Sequence, residues 1–369
     1  MSPLIISAWS ATSPFGVGDA AFRDGVAAGR SAVAAVDRET YPGPLEQGAL
    51  VPEFSAREHV GKKGTRTMDR LSALAVATVG GLVPHLDDEL SAHPEQTAIV
   101  LGTGSGSVQS IMDFTKDSYL GERPYHVDPA RFPNAVMNRA AGQSAIWHRI
   151  KGPNTTIAGG ALTGLLALSY AVRLLKGGHC VRALCGAVEE YSTQRSWLEW
   201  HGRPEEERRT PLGEGSAVFL VESAEDAAAA GRVPLAEVAA VRFRAFAEPD
   251  SVRRTLADCL RGALEAAGVK PGEIRTVVPL GGGGPYVAAE EAAVRDVLED
   301  LPDDAEPRWI RLSALVGDTS AAATSLQLAA SLAVAGDTGL APGEAALVTA
   351  VERDGMVGCA VLVGGGSPR

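Results

Sequence analysis

Aromatic residues make up only 5% of the 369-residue chain, so large rings cannot fill its interior. Hydrophobic residues reach 45%, which leaves Ala, Val and Leu at close element spacing to build the core and favours α/β packing. Cysteine is sparse too. Cys180, Cys185, Cys259 and Cys359 show no CxxC spacing and lie in apolar stretches, which fits reduced thiols in a cytosolic protein and offers no metal site. Basic charge is in deficit, with 34 Lys and Arg against 45 Asp and Glu and a net charge of -11. Neither nucleic acid nor an anionic membrane surface is therefore expected as a main partner. No apolar run reaches about 18 residues without Gly or charge, and "MSPLIISAWS" has no basic start. Neither a membrane span nor a secretion signal is expected, and the expected location is the cytoplasm.

What is present is a regular alternation of strand and helix patterns. "PLIISAW" reads as a strand, "AAFRDGVAAG" as a helix, and Met68 to Val83 carries apolar residues at helical spacing. The strand "QTAIVLGTG" precedes a helix from about Ser107 to Lys116, a loop to about Pro133, and a helix through "AVMNRAAGQSAIWH". "GPNTTIAGGALTG" then runs into the helix "LLALSYAVRLLKGG", whose terminal glycines stop it, and the strand "HCVRALCGAV" follows. Residues 192–210 read as irregular, "GEGSAVFLVES" as a strand, and "AEDAAAAGRVP" as the boundary between two halves, 1–225 and 226–369. The second half repeats the rhythm, with strands at "LAEVAAVRFRAF", "TVVPLGG", "RWIRLSAL", "ALVTAVE" and "CAVLVGG" and helices between them. This is the pattern of a duplicated, layered α/β fold. "GGGGP" at 281–285 lacks the Lys-Ser/Thr and the glycine spacing of a phosphate loop and reads as a strand-to-helix turn.

Several segments, in order, resemble the β-ketoacyl synthases, the condensing enzymes of fatty-acid and polyketide assembly. They are "SPFG" with "GRSAV", "RTMDRLSALA", "FPNAVMNRAAGQSAI" before "GPNTT", "LGEGSAVFLVE" and "GVKPGEIRTVV". The resemblance implies a thiolase-like duplicated fold in α-β-α-β-α layers and a dimer. It also implies that the strand at about His179 to Ala187 pairs with its equivalent across the two-fold, and that the region before the nucleophile helix lines an acyl tunnel.

Condensation in that family needs a thiolate at a helix N-terminus, where the dipole lowers the thiol pKa and backbone N–H groups bind the oxyanion. It also needs two histidines. The ungapped match of "GPNTTIAGGALTG" to the family motif puts Ala161 at the nucleophile position. Leu280, followed by Gly281, stands at the first histidine; Ser313 and Asp318 in "SALVGD" stand at the family's lysine and second histidine. "ERDGMVG", 352–358, replaces the glycine-rich gate, and all seven histidines fall between His59 and His201. A methyl group cannot be acylated, an alkyl group neither donates nor accepts, and a carboxylate repels an enolate.

Of two groups that could offer substitute chemistry, Thr163 has no histidine base and reads as a packing residue, and Cys185 reads as a buried small hydrophobe. Asp318 reads as a helix cap. The chain thus resembles the chain-length factors, the ketosynthase β-subunits of type II polyketide synthases, although many of those carry Gln where Ala161 stands. The resemblance implies a heterodimer with a catalytic ketosynthase and no directly bound cofactor. The phosphopantetheine-linked acyl chain would arrive through an acyl carrier protein and the partner ketosynthase. Val108, Ile111, Met112 and Thr115 on one helix, with Pro133, Val136, Met137 and Trp197, are the expected tunnel and interface residues, and ordinary core packing accounts for each one singly as well. Two other roles stay open: a stand-alone homodimer that binds or transfers acyl groups, and a docking scaffold for carrier proteins.

Overall fold

The computed structural model describes residues 2–281, 286–299 and 306–365. The first half contributes strands β1 (Leu4–Ser13), β2 (Thr97–Gly102), β3 (Asn154–Ile157), β4 (Arg182–Glu189) and β5 (Gly215–Ser223). The second contributes β6 (Ala236–Ala245), β7 (Ile274–Pro279), β8 (Arg308–Trp309), β9 (Ala345–Glu352) and β10 (Met356–Val363). Their order along one hydrogen-bonded path is β8-β7-β9-β10-β6-β1-β5-β4-β2-β3. Each half has the same order. Each also has the same directions: parallel pairs β2–β3, β2–β4, β7–β8 and β7–β9, then antiparallel pairs β4–β5, β5–β1, β9–β10 and β10–β6. The halves join where Ile5 and Ile6 of β1 meet Glu237 and Ala236 of β6.

The longer helices are α1 (Asp19–Ala28), α2 (Arg70–Gly80), α3 (Val108–Leu120), α4 (Arg139–His148), α5 (Thr163–Lys176), α6 (Thr193–Gly202), α7 (Val252–Ala267), α8 (Val287–Val297) and α9 (Ala323–Ala335). Helices α2 and α4 cover the strands of the first half, while α7 and α8 cover those of the second. Between the two sets of strands lie α5 and α9, which touch each other and strands of both halves. The result is the five-layer α-β-α-β-α arrangement. Composition explains the middle layer: every residue of α9 from Ala323 to Leu332 is buried, as a helix of small and aliphatic residues on all sides must be. The absence of a side chain at Gly164 lets the two helices approach, since a Cβ there would strike the backbone and hydroxyl of Ser325.

Three sequence expectations need correction. Residues 192–210 are not irregular throughout, because α6 begins where the Ser192 hydroxyl accepts the Arg195 N–H. "RWIRLSAL" forms only the two-residue strand β8 and then a helical turn at Ser313–Val316. The strand at His179 to Ala187 does not offer an edge for pairing across a two-fold, because β4 is hydrogen-bonded to β2 on one side and β5 on the other. The sheet edge of that half belongs to β3, which among the described residues pairs only with β2. The "GGGGP" turn falls at 282–285 outside the described residues after its first glycine. Among the described residues no helix is long and apolar enough to cross a membrane.

Candidate functional site

The tip of α5 is a 3-10 turn, Gly160–Leu162, that enters the helix proper at Thr163. Gly160 has φ +53, a backbone conformation that favours glycine, and a Cβ there would strike the Glu352 carboxylate. Thr163 is fully buried, and its hydroxyl accepts from Gly159 N–H at 2.9 Å and donates to the Gly160 carbonyl at 2.6 Å. It caps the turn and has no base beside it, so the packing expectation for Thr163 agrees with its surroundings. Thr324 of α9 braces the same turn, donating to the Ala161 carbonyl at 2.9 Å and accepting the Leu165 N–H at 3.2 Å.

A cavity of about 380 Å³ opens at this tip. It brings together Ala161, Leu280, Ser313 and Asp318, the four positions aligned with catalytic residues, although they are spread over 158 positions of sequence. No cysteine or histidine is among its lining residues. Instead it holds carboxylates and two guanidiniums.

Glu352, the last residue of β9, accepts the Ala161 N–H on its Oε2 and the Arg353 N–H at 2.9 Å on its Oε1. Burial raises its pKa, and the Ala161 N–H opposes that rise. The N–H donor that would face an oxyanion is therefore occupied by an internal anion. Glu290 of α8 is almost wholly buried, and burial pushes its pKa up to about 7. It accepts from Leu280 N–H and Gly281 N–H at 3.0 Å each and from the Thr349 hydroxyl at 2.7 Å. Beside it Gln327 donates from Nε2 to the carbonyls of Val278 and Thr349 at 2.7 and 3.0 Å. These bonds fix the floor of the cavity by tying α8 and α9 to β7 and β9.

Asp318 is held by backbone and side chain alike. Its N–H donates to Pro211 and its carbonyl accepts from Gly213, each at 2.8 Å. Its Oδ1 accepts the Ser320 N–H at 2.8 Å, capping the 3-10 turn that starts α9, as the sequence indicates. Its Oδ2 accepts from Arg203 at 2.6 Å, and Arg203 also donates to Glu199 of α6 at 2.8 Å. Arg353 pairs with Glu207 at the rim. Both guanidiniums that line the cavity are thus paired within the chain.

The expected tunnel and interface residues do not line this cavity. Val108 is buried at the start of α3 and Ile111 is half-buried, while Met112 and Thr115 are exposed one turn on. Pro133 and Met137 are exposed and Val136 half-buried on the segment beside α3. Phe114 and Phe132 meet edge to face at 5.9 Å, which ties α3 to that segment. Trp197, stacked on His201, is exposed on α6, which also contacts α3. Its neighbour Leu198 does line the cavity. Helix α6 therefore connects the cavity to the α3 face, a link that the irregular reading of 192–210 concealed. Cys185 is fully buried in β4 with its pKa raised by burial, in keeping with a packing role.

Glu290, Glu352 and Arg203 were not singled out from the sequence. A signal existed for Glu290, which heads the buried stripe Glu290, Ala293, Val294 and Val297 of α8 at helical spacing. Glu352 ends a strand before the turn "RDG" and looks like any surface hairpin residue.

Five layers around a cavity at the tip of a buried helix define a thiolase-like ketosynthase fold, and comparison with known proteins agrees. The family profile "Beta-ketoacyl synthase, N-terminal domain" matches residues 1–202, and the chain belongs to the β-ketoacyl synthase family. Among characterised relatives, the 3-oxoacyl-[acyl-carrier-protein] synthase 2 of Coxiella burnetii is 24% identical over 325 residues, 82% of this chain and 78% of that protein. The Synechocystis protein of the same name is 24% identical over 295 residues, 73% of this chain and 70% of its own length. Of solved structures, the ishigamide ketosynthase/chain length factor superposes with TM-score 0.88 at 41% identity, covering 98% of this chain and 99% of that one. A β-ketoacyl synthase from Burkholderia phymatum gives 0.83 at 19% identity over 98% and 99% of the two chains, a likeness of fold.

Proposed function

We propose that this chain is a non-condensing ketosynthase-like subunit that pairs with a catalytic ketosynthase in polyketide or fatty-acyl chain assembly and helps set chain length by shaping the acyl tunnel. The observation that carries this reading is the cavity at the tip of α5. Its nucleophile position is Ala161, and the tip N–H is held by Glu352. Neither Leu280 nor Asp318 can polarise a thioester carbonyl or promote loss of carbon dioxide from a malonyl extender, and Asp318 is already paired with Arg203. Likeness at 41% identity to a ketosynthase/chain length factor supports the pairing.

In this reading the partner supplies cysteine and histidines, and the acyl carrier protein presents the phosphopantetheine-linked chain to it. This subunit contributes the α3 face, where Val108 and Ile111 limit the space available to the growing chain and the exposed Met112, Thr115, Pro133, Met137 and Trp197 meet the partner. Two groups considered for acylation are otherwise occupied: the Thr163 hydroxyl is engaged in two local hydrogen bonds, and the Cys185 thiol is buried.

Co-expression with the cognate ketosynthase, followed by size-exclusion chromatography and mass determination, tests the pairing. A one-to-one complex is expected, with condensation only when both chains are present. A homodimer indifferent to any ketosynthase would sink it and favour a stand-alone acyl-binding protein. Within the complex, Val108→Phe or Ile111→Phe is expected to shorten the products. Unchanged length from an intact complex would remove the tunnel assignment.

A further inference from the structure

Outside the cavity, one pair of reactive groups is brought together by the fold and used by nothing described above. Cys259 lies on the buried face of α7 among Leu256, Leu260 and Ala263, and Cys359 lies in β10, 100 residues further along the chain. Their sulfurs are 3.8 Å apart. Both are almost wholly buried, at 1% and 0% exposure, in the apolar layer between α7 and the strands of the second half.

We propose that Cys259 and Cys359 are a redox pair that closes to an intrachain disulfide under a hydroperoxide oxidant. A disulfide needs the sulfurs at about 2 Å, so the two side chains must close a remaining gap of roughly 2 Å. The direct contact lets one thiol be oxidised first and the other resolve it, which suits stepwise oxidation. Cys259 is drawn below its ordinary pKa, first by its contact with Cys359 and further by Arg244 and Arg242, against the opposing effect of burial. Cys359 is raised, chiefly by the same contact. Cys180 and Cys185 lack such support. Burial pushes Cys180 up to about 11 and raises Cys185 as well.

The Cys259 thiolate attacks one peroxide oxygen, the O–O bond breaks, and the other oxygen leaves as water after taking a proton. The resulting sulfenic acid is attacked at sulfur by Cys359, which loses its proton as the S–O bond breaks and a second water leaves. Two thiols supply two electrons to one hydrogen peroxide. Burial makes the step slow and confines it to a small oxidant, because a bulky disulfide reagent cannot reach the pair without displacement of α7.

The test exposes the purified full chain to hydrogen peroxide long enough to oxidise glutathione in the same tube, then maps it by non-reducing digestion and mass spectrometry. The expected product is one Cys259–Cys359 cross-link, lost on treatment with dithiothreitol, with a raised thermal midpoint in the oxidised protein. Both thiols still alkylatable, a sulfinic acid at either, or cross-links through Cys180 or Cys185 would overturn the proposal. The Cys359→Ala variant is expected to lose the cross-link and to leave a sulfenic acid at Cys259 that dimedone traps. If that variant does not fold, the map of the unaltered protein decides alone.

Discussion

Helices α5 and α9 hold the same place in the two halves. Each follows the third strand of its half and leads to the fourth, and each begins with a 3-10 turn, Gly160–Leu162 or Ser320–Ala322, at the cavity. Each tip also meets a carboxylate. The Ser320 N–H is capped by Asp318 two residues earlier, whereas the Ala161 N–H is capped by Glu352, 191 residues away. The difference teaches that two equivalent helix tips can be satisfied by acids at very different distances along the chain. Both positive helix ends remain satisfied by the chain's own acids, one from a neighbouring turn and one from a distant hairpin. In the proposed reading, the donor that condensation would need open is the one held by Glu352.

The comparison breaks most severely if the two helices are pushed apart. Gly164→Val places a branched side chain against the backbone and hydroxyl of Ser325, so a loss of about 3 kcal/mol or outright insolubility is expected in chemical denaturation. Native-like stability would mean that α5 and α9 do not approach so closely. Asp318→Ala removes the local cap and leaves Arg203, only 8% exposed, with Glu199 alone, and the expected cost is about 2 kcal/mol. Glu352→Ala removes the remote cap and the local bond from the Arg353 N–H, and about 1 kcal/mol is expected from the same measurement. A cost above that of Asp318→Ala would reverse the ranking of the two tips.

A pH series sharpens the picture of the floor between them. Glu290 sits near 7 in the fold against an ordinary 4.5, because burial favours its protonated form. Its contribution to stability is therefore complete below about 4.5 and lost as pH climbs through about 7. Glu190, raised to about 8 by burial, extends the decline. The Glu290→Gln variant should show a shallower fall between pH 4.5 and 7 in thermal midpoint, and an unchanged slope would contradict the assignment. The smallest effect is expected from Ala161→Cys, which adds a thiol beneath Glu352 with no histidine near it. Stability should change by less than about 1 kcal/mol and no condensation should appear. Measurable turnover by that single variant would overturn the account of the site.

Most of the layered fold was legible because strand and helix periods are clear wherever a face is buried, as in β1, α5 and α7. Helix α6 was hidden by its composition, since "TQRSWLEWHG" carries no continuous apolar stripe and buries only Arg195 and Ser196. The place of β4 inside the sheet was equally out of reach, because alternation reports burial and not which edge stays open. At the site, Ala161, Leu280, Ser313 and Asp318 could be named through family resemblance, and their meeting in one cavity required the folded chain. The cap on Asp318's own helix followed from spacing alone. The cap by Glu352 did not, since nothing in the hairpin sequence points to a helix tip 191 residues away.

The most direct measurement is condensation by the reconstituted pair after the partner ketosynthase's nucleophilic cysteine is replaced by alanine, with acyl and malonyl carrier proteins supplied. The account predicts that product formation stops completely while the complex stays intact. Continued condensation would show that this chain carries out carbon–carbon bond formation itself and would contradict its non-condensing role.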